Sequence, residues 1–353
     1  MQLAVGILGF GNVGRALGEL ILSKQEALRD EFGIQIRVVG ISTGRHGRAI
    51  DPTGINLRTA LDAVKYGSSL DGLNTVGDIE DTWDFLKKCP ADLIFESIPT
   101  NPEDGQPALA YTHNLLERGI HVVSANKGPV AFGYRELSRI AEENGVGFFF
   151  ESSVMDGGPV LGVGRESLPG LTINRIRGIF NSTTNYIITR MESEGLDFDT
   201  ALDAAQKIGI AETDPTLDID GWDSAIKTVI VANVIMGADI RPSDVNREGI
   251  RGLALQRVQD ALAEGQHIRL ICDAVRGEDG QVTASVTPTL VPAGDAFAGV
   301  LGTTSIIEYE TDVLPRLTLI EHDPGPHTTA YGMLADMINI MRDRHIIRPM
   351  DTD

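Results

Sequence analysis

Over the first 150 positions, short apolar runs carry Val, Ile, Leu or Phe on both faces: "LAVGILG", "IRVVGIS", "ADLIFES", "IHVVSA" and "VGFFFES". Helically spaced stretches separate them, starting at about Asn12 and running through "ALAYTHNLLERG" and "YRELSRIAEENG". Strands that are apolar on both faces and alternate with helices predict a parallel sheet covered on both sides, a doubly wound α/β unit of Rossmann type. After Ser152 the order changes. A strand "LTINRIRGIF" precedes helices over Thr183 to Glu192 and Thr200 to Ile208 and a helix from Gly221 that is apolar nearly all round. The runs "HIRLICDAV", "VTASVTPTL", "SIIEYET" and "RLTLIEH" follow, predicting a second α+β unit with an antiparallel or mixed sheet. The expected organisation is a first domain over 1–150 and a second over 151–326. An amphipathic helix in the segment 327–345, centred on Thr328 to Met341, is expected to pack back on the first.

A length of 353 residues suits two such units, because single cores stop growing near ~250 to 300 residues. With 42% apolar and 23% charged residues the composition is globular. The balance of 30 Lys+Arg against 50 Asp+Glu gives a net charge of -20, which repels phosphate backbones and anionic lipid. Nucleic acid and membrane are thus excluded as expected partners, leaving a small-molecule substrate. Cys89 and Cys272 have neither zinc-ligand nor disulfide-framework spacing, which fits a reducing cytoplasm. No basic leader opens the chain and no apolar run reaches ~18 residues, so a soluble, unprocessed protein is expected.

The chemistry begins at "GILGFGNVG". Gly9-x-Gly11-x-x-Gly14 follows a strand and opens a helix, so Gly9, Gly11, Asn12, Val13 and Gly14 could let a pyrophosphate approach backbone N–H groups at a positive helix end. The bland alternative is a structural turn. The second strand ends in "VVGISTGRHGR" without the Asp or Glu that would bond the ribose 2'-hydroxyl of NAD. Ser42, Thr43, Arg45 and Arg48 stand there instead, which favours the 2'-phosphate of NADP unless the loop is only a solvated basic one. Ligands of open α/β sheets lie beyond the carboxyl ends of strands, which selects Ser97 and Pro99 in "ESIPTNPEDG", Asn126 and Lys127 in "SANKGP", and the loop "ESSVMDGGP". Lys127, on a loop ahead of a Gly-Pro turn, is either simply solvated or aimed over the nicotinamide end of the site.

The densest charge lies in "AETDPTLDIDGWDSAIK", where Glu212, Asp214, Asp218, Asp220 and Asp223 precede Lys227. Asp220 reads as the N-cap of the apolar helix and Asp214, before Pro215, as a turn former. Asp223 and Lys227, four apart, share a helix face and can pair. A lysine at the mouth of a buried helix would lose charge unless carboxylates hold it, so the pair is either a structural salt bridge or a tuned acid/base.

"FGNVG", "SANKGPV", "FNSTTNYIITRME", "AQKIGIAETDPTLDIDGWDSAIKTVIVAN" and "GPHTTAYGMLADMI" together resemble homoserine dehydrogenase, in order and over nearly the whole chain. The resemblance implies interconversion of homoserine and aspartate semialdehyde with NAD(P), in threonine and methionine biosynthesis. It implies Glu212 and Asp218 in the substrate pocket, with Asp223 and Lys227 at its catalytic end and Lys127 facing Lys227. Asn181 and Thr183 of "NSTTN" would line the same cleft, and Thr328 would belong to a cofactor-side turn. It also implies a Na+ or K+ site at Glu151, Val154, Asp156 and Gly158, in a loop that departs from the family's usual form at Met155 and Asp156. A homodimer through the second unit's sheet is implied, as is a short form without the C-terminal regulatory domain. Two other readings stay open: a dehydrogenase for a related hydroxy amino acid or hydroxy acid, and a catalytically silent NADP-binding sensor.

Overall fold

The computed structural model describes residues 1–342, and the chain divides into two compact units. One comprises Met1–Gly157 together with the chain from Gly325 on; the other is Gly158–Pro324. The sequence reading places this boundary near 150, and positions 343–345 of its closing segment lie outside the described residues.

The first unit runs β1 (Gln2–Leu8), α1 (Asn12–Phe32), β2 (Gln35–Ser42), β3 (Arg48–Ile50), α2 (Leu57–Lys65), α3 (Thr82–Lys88), β4 (Leu93–Glu96), α4 (Ala108–Glu117), β5 (His121–Ser124), α5 (Lys127–Glu143) and β6 (Phe148–Phe149). Its strands order as β3-β2-β1-β4-β5-β6, parallel throughout except for the antiparallel edge pair β2 and β3. β1 is central, and from Leu3 to Leu8 every residue is buried, which is why it reads as a continuous apolar run. The sequence reading has no element between 43 and 90, where β3, α2 and α3 form. The two helices are short, and side-chain caps from Asn56 to Thr59 N and from Asp81 to Asp84 N start them. α5 begins seven residues before its apolar periodicity, because Pro129 needs no N–H partner in a first helical turn. The expected strand "VGFFFES" shrinks to the two-residue edge strand β6.

The second unit runs α6 (Val160–Gly162), β7 (Ile173–Ile179), α7 (Ser182–Glu194), α8 (Phe198–Lys207), α9 (Thr216–Ile219), α10 (Trp222–Ile235), β8 (Asn246–Arg247), α11 (Leu255–Ala263), β9 (Gln266–Arg276), β10 (Val282–Pro292), β11 (Ser305–Thr311) and β12 (Leu317–Glu321). The sheet order is β12-β11-β7-β9-β10-β8, antiparallel except for the short parallel pair β10 and β8. α10 is buried at eleven of its fourteen positions and lies against β7, β9 and β10, so only Trp222, Asp223 and Lys227 in its first two turns are left partly open. After this unit the chain returns to the first as α12 (Pro326–Met341), whose Ala330, Met333, Leu334, Met337 and Ile340 join the core formed by β1, α1 and α2.

Candidate active site

The glycine loop of the first unit is built by close approach. Gly9 has φ +98°, and a side chain there would meet the Ser97 backbone at 2.7 Å, while one on Gly14 would collide with the Gly9 carbonyl. Gly11 differs. A Cβ at Gly11, the N-cap of α1, would meet nothing within 4 Å, so its open backbone faces space that a pyrophosphate can occupy beside the helix's first N–H groups. Val13 packs at the edge of the core, and Asn12 Oδ1 accepts from Arg15 at 2.7 Å. Beyond β2, Ser42 is buried and Thr43 Oγ1 accepts from His46 N at 2.6 Å, holding the turn whose exposed members are Gly44 and Arg45.

Three further loops of this unit are tied together. Ser97 Oγ donates to Gly9 O at 3.0 Å, and Thr100 Oγ1 donates to Asn126 Oδ1 at 2.9 Å, with Pro99 between them. Asn126 caps α5 through Gly128 N at 2.9 Å, which makes Lys127 the first helical residue and corrects its expected place on a loop. Sequence reasoning gave no role to Glu96, the fully buried end of β4. Its carboxylate accepts from Ser124 Oγ at 2.6 Å, Ile98 N at 2.8 Å and Asn126 Nδ2 at 3.2 Å. Burial pushes its pKa up to about 7 against the lowering effect of those three donors. A lone acid closing the otherwise apolar strand "LIFE" was the available signal.

In the second unit, Asp218 at α9 and Asp223 in the first turn of α10 meet around one amide. Asn181 Nδ2 donates to Asp218 Oδ1 at 2.7 Å and to Asp223 Oδ2 at 3.0 Å, while its Oδ1 caps α7 at Thr184 N. That last bond fixes which end of the amide faces the acids. Lys227 Nζ lies 3.3 Å from Asp223 Oδ2 and donates to Phe180 O at 2.7 Å. Asp218 has a raised pKa because burial disfavours its charge and Asp223 repels it, against the opposing pull of Asn181, Thr183 and Lys227. Thr183 Oγ1 also donates to Ile210 O at 3.2 Å, and Glu212 is exposed on the loop that follows.

Asp220 is not the cap the sequence suggests. The chain turns through Gly221 at φ +79°, a conformation only glycine takes at no steric cost, and this turns Asp220 away from the start of α10. Asp220 instead pairs with Arg251 at 2.5 Å, and its carbonyl accepts from Arg247, whose guanidinium stacks 3.8 Å from the Trp222 ring centroid. Asp214 forms the expected turn, accepting from Thr216 N at 3.1 Å.

In the loop from Glu151, Val154 is buried and Asp156 has φ +33°. Glu151 N donates to Asp336 Oδ2 at 2.9 Å and Ser152 Oγ to Thr329 O at 2.8 Å, which fastens the loop to α12. Thr328 Oγ1 bonds within its own turn to Gly325. Gly158, the fourth expected cation ligand, opens the second unit. Among the described residues no three His, Cys, Asp or Glu side chains gather as a metal cluster.

A family profile described as homoserine dehydrogenase matches residues 159–338. The chain is 38% identical over 334 residues to the homoserine dehydrogenase of Methanocaldococcus jannaschii, spanning 95% of this chain and 97% of that one. It is 35% identical over 344 residues to the NAD(+)-dependent homoserine dehydrogenase of Pseudomonas canavaninivorans, spanning 95% of each. A solved hyperthermophilic archaeal homoserine dehydrogenase in complex with NADPH superposes with a TM-score of 0.83 at 31% identity, covering 99% of this chain and 100% of that one.

Proposed function

The chain belongs to the homoserine dehydrogenase family, and from that premise we propose that Lys227 is its principal acid/base, with Asp223 orienting it and Lys127 polarising or relaying. The enzyme is an NAD(P)-dependent oxidoreductase that interconverts L-homoserine and L-aspartate 4-semialdehyde. We assign it to the route from aspartate to threonine and methionine in the cytoplasm, in keeping with two free, buried thiols. No helix among the described residues is long and apolar enough to cross a membrane.

The observation that carries the residue assignment is the Asp223, Lys227 and Phe180 O contact at the start of the buried helix. The Asp223 carboxylate and the Phe180 carbonyl both contact its Nζ, so a proton on this amine is placed and directed by the fold. In the direction of reduction, oxygen gains negative charge and Lys227 donates the proton; in oxidation the neutral amine takes the alcohol proton back. Asp218, Asn181 and Thr183 bind the substrate in this reading, and the acids together with Glu212 attract its ammonium.

When bound, the nicotinamide supplies or accepts the hydride. Gly9, Gly11, Asn12, Val13 and Gly14 would hold its pyrophosphate, and Ser97, Pro99, Asn126, Lys127 and Thr328 its nicotinamide half. The lack of an acid after β2 and the presence of Ser42, Thr43 and Arg45 favour NADP over NAD, although one relative is named for NAD(+) and another structure holds NADPH. A monovalent cation at Glu151, Val154, Asp156 and Gly158 would stiffen that loop. We also infer a homodimer through the second sheet, where Val275 lies exposed opposite Arg175 in the strand pair that carries the Arg175 and Asp273 ion pair, and Ile320 lies exposed on the edge strand β12.

The deciding assay is aspartate-semialdehyde-dependent oxidation of NADPH against NADH, with and without Na+ or K+. Faster NADH turnover would overturn the cofactor preference, and salt-independent rates would remove the cation. Analytical ultracentrifugation tests the dimer, and a monomer at micromolar concentration ends it.

A further inference from the structure

We propose that Glu96 is a positioning residue, the knot that fixes the nucleotide-facing loops of the first unit. The inference deepens the dehydrogenase reading and rests on it. One carboxylate collects three donors from two segments, its own loop after β4 and the junction of β5 with α5. Oε1 holds Ile98 N in the loop after β4 and Asn126 Nδ2 ahead of α5, and Oε2 holds Ser124 Oγ at the end of β5. Each segment leads to a residue assigned to the site. Ile98 adjoins Ser97, whose hydroxyl bonds Gly9 O and whose backbone lies where a Gly9 side chain would fall. Asn126 sets the first turn of α5 and with it Lys127. Thr100 closes the ring by donating to Asn126 Oδ1.

The wiring has only one chemical sense. The Gly128 N–H must meet an oxygen, so Asn126 turns its Oδ1 toward the helix and its Nδ2 toward Glu96. Among the described residues the groups acting on Glu96 are all neutral, namely Ser124, Ile98 and Asn126. A fully buried carboxylate without an ion-pair partner costs stability, and an apolar side chain would fill its place in a sheet core more favourably. What an apolar side chain could not do is accept from three donors and so join the loop after β4 to the β5–α5 junction. A glutamine could, because its Oε1 can keep Ile98 N and Asn126 Nδ2 while its Nε2 donates to Ser124 Oγ, whose own proton can turn to Asn126 O, 3.4 Å away.

The test uses the full-length enzyme and three variants, Glu96→Gln, Glu96→Ala and Ser124→Ala. Each is read by NADPH titration without a second substrate, by steady-state kcat and KM, and by thermal unfolding. The expectation is that Glu96→Gln stays within about threefold of wild type in nucleotide affinity and kcat. Glu96→Ala should lose on the order of a hundredfold in kcat/KM for NADPH, the effect of misplacing a catalytic loop by about 1 Å. Ser124→Ala, which removes one donor, should fall between them and serves in place of Glu96→Ala should that variant fail to fold. Wild-type nucleotide affinity and kcat in Glu96→Ala or in Ser124→Ala would overturn the proposal, whatever their melting temperatures. A glutamine variant as impaired as alanine would overturn it too, since the charge and not the hydrogen-bond wiring would then be at work. Failure of the wild-type enzyme to bind both NADPH and NADH would count against the dehydrogenase reading itself, and where NADH binds better the same variants are read with NADH.

Discussion

Glu96 in the first unit and Asp218 in the second are both carboxylates whose pKa burial raises, yet their surroundings are opposite in kind. Glu96 meets only neutral donors, all from its own unit, and its site is closed. Asp218 shares an amide with a second carboxylate and stands near a lysine. Among those groups, two carboxylates against one ammonium leave one negative charge, which a substrate ammonium can balance. The contrast shows that a buried, perturbed acid does not by itself mark the reacting centre. The polarity of its neighbours separates the part that holds loops from the part that holds charge.

The sharpest way to break the contrast is to remove the cation. Lys227→Ala should lower kcat by roughly a thousandfold, about 4 kcal/mol of transition-state stabilisation, with the circular dichroism spectrum unchanged. A kcat near wild type would place the acid/base elsewhere.

Asn181→Ala removes the amide between the two acids. Their repulsion then rises, so Asp218 should take up a proton at a higher pH, and α7 loses its cap at about 1 kcal/mol. We expect kcat/KM to fall by about tenfold, since general acid–base positioning is weakened without losing the lysine. A pH–rate profile that does not move would show that the amide does not couple the pair.

Glu96→Gln sharpens the other side of the comparison. Because the folded pKa of Glu96 is raised from 4.5 to about 7, its ionisation favours the unfolded chain. Its stabilising contribution is fully present below about pH 4.5 and is lost as pH rises through 7. The glutamine variant should therefore gain on wild type over that window, by on the order of 1 to 3 kcal/mol, as read by denaturant titration at several pH values. A pH-independent difference would mean that Glu96 does not titrate there. Arg251→Ala should do least. Its pair with Asp220 is half exposed, so the cost should stay under about 1 kcal/mol, and a larger drop in melting temperature would give this brace more weight than its exposure allows.

The parallel sheet and the glycine loop were readable because strands buried on both faces and a Gly-x-Gly-x-x-Gly turn leave local traces. The pairing of Asp223 with Lys227 was readable for the same reason, since both lie on one helix four residues apart. The role of Asn181 as a bridge was not, because its two partners sit 37 and 42 residues away. Asp220 misled because an acid before a helix looks like a cap, and only the backbone conformation of Gly221 shows that it is turned aside. α2, α3 and α11 escaped notice because they are seven to nine residues long, too short for periodicity to rise above composition. Glu96 lay inside a loop singled out for other residues, and its meaning depends on partners brought in from β5 and α5.

The return of α12 to the first unit has a temporal side. Ala330, Met333, Leu334, Met337 and Ile340 seal a core whose other walls are made of members running from Leu3 to Phe149. Translation at about 5 to 20 residues per second puts the whole of Gly158–Pro324 between those walls and their seal, a delay on the order of ten to thirty seconds. During synthesis the first unit therefore keeps this part of its core open until α12 is made.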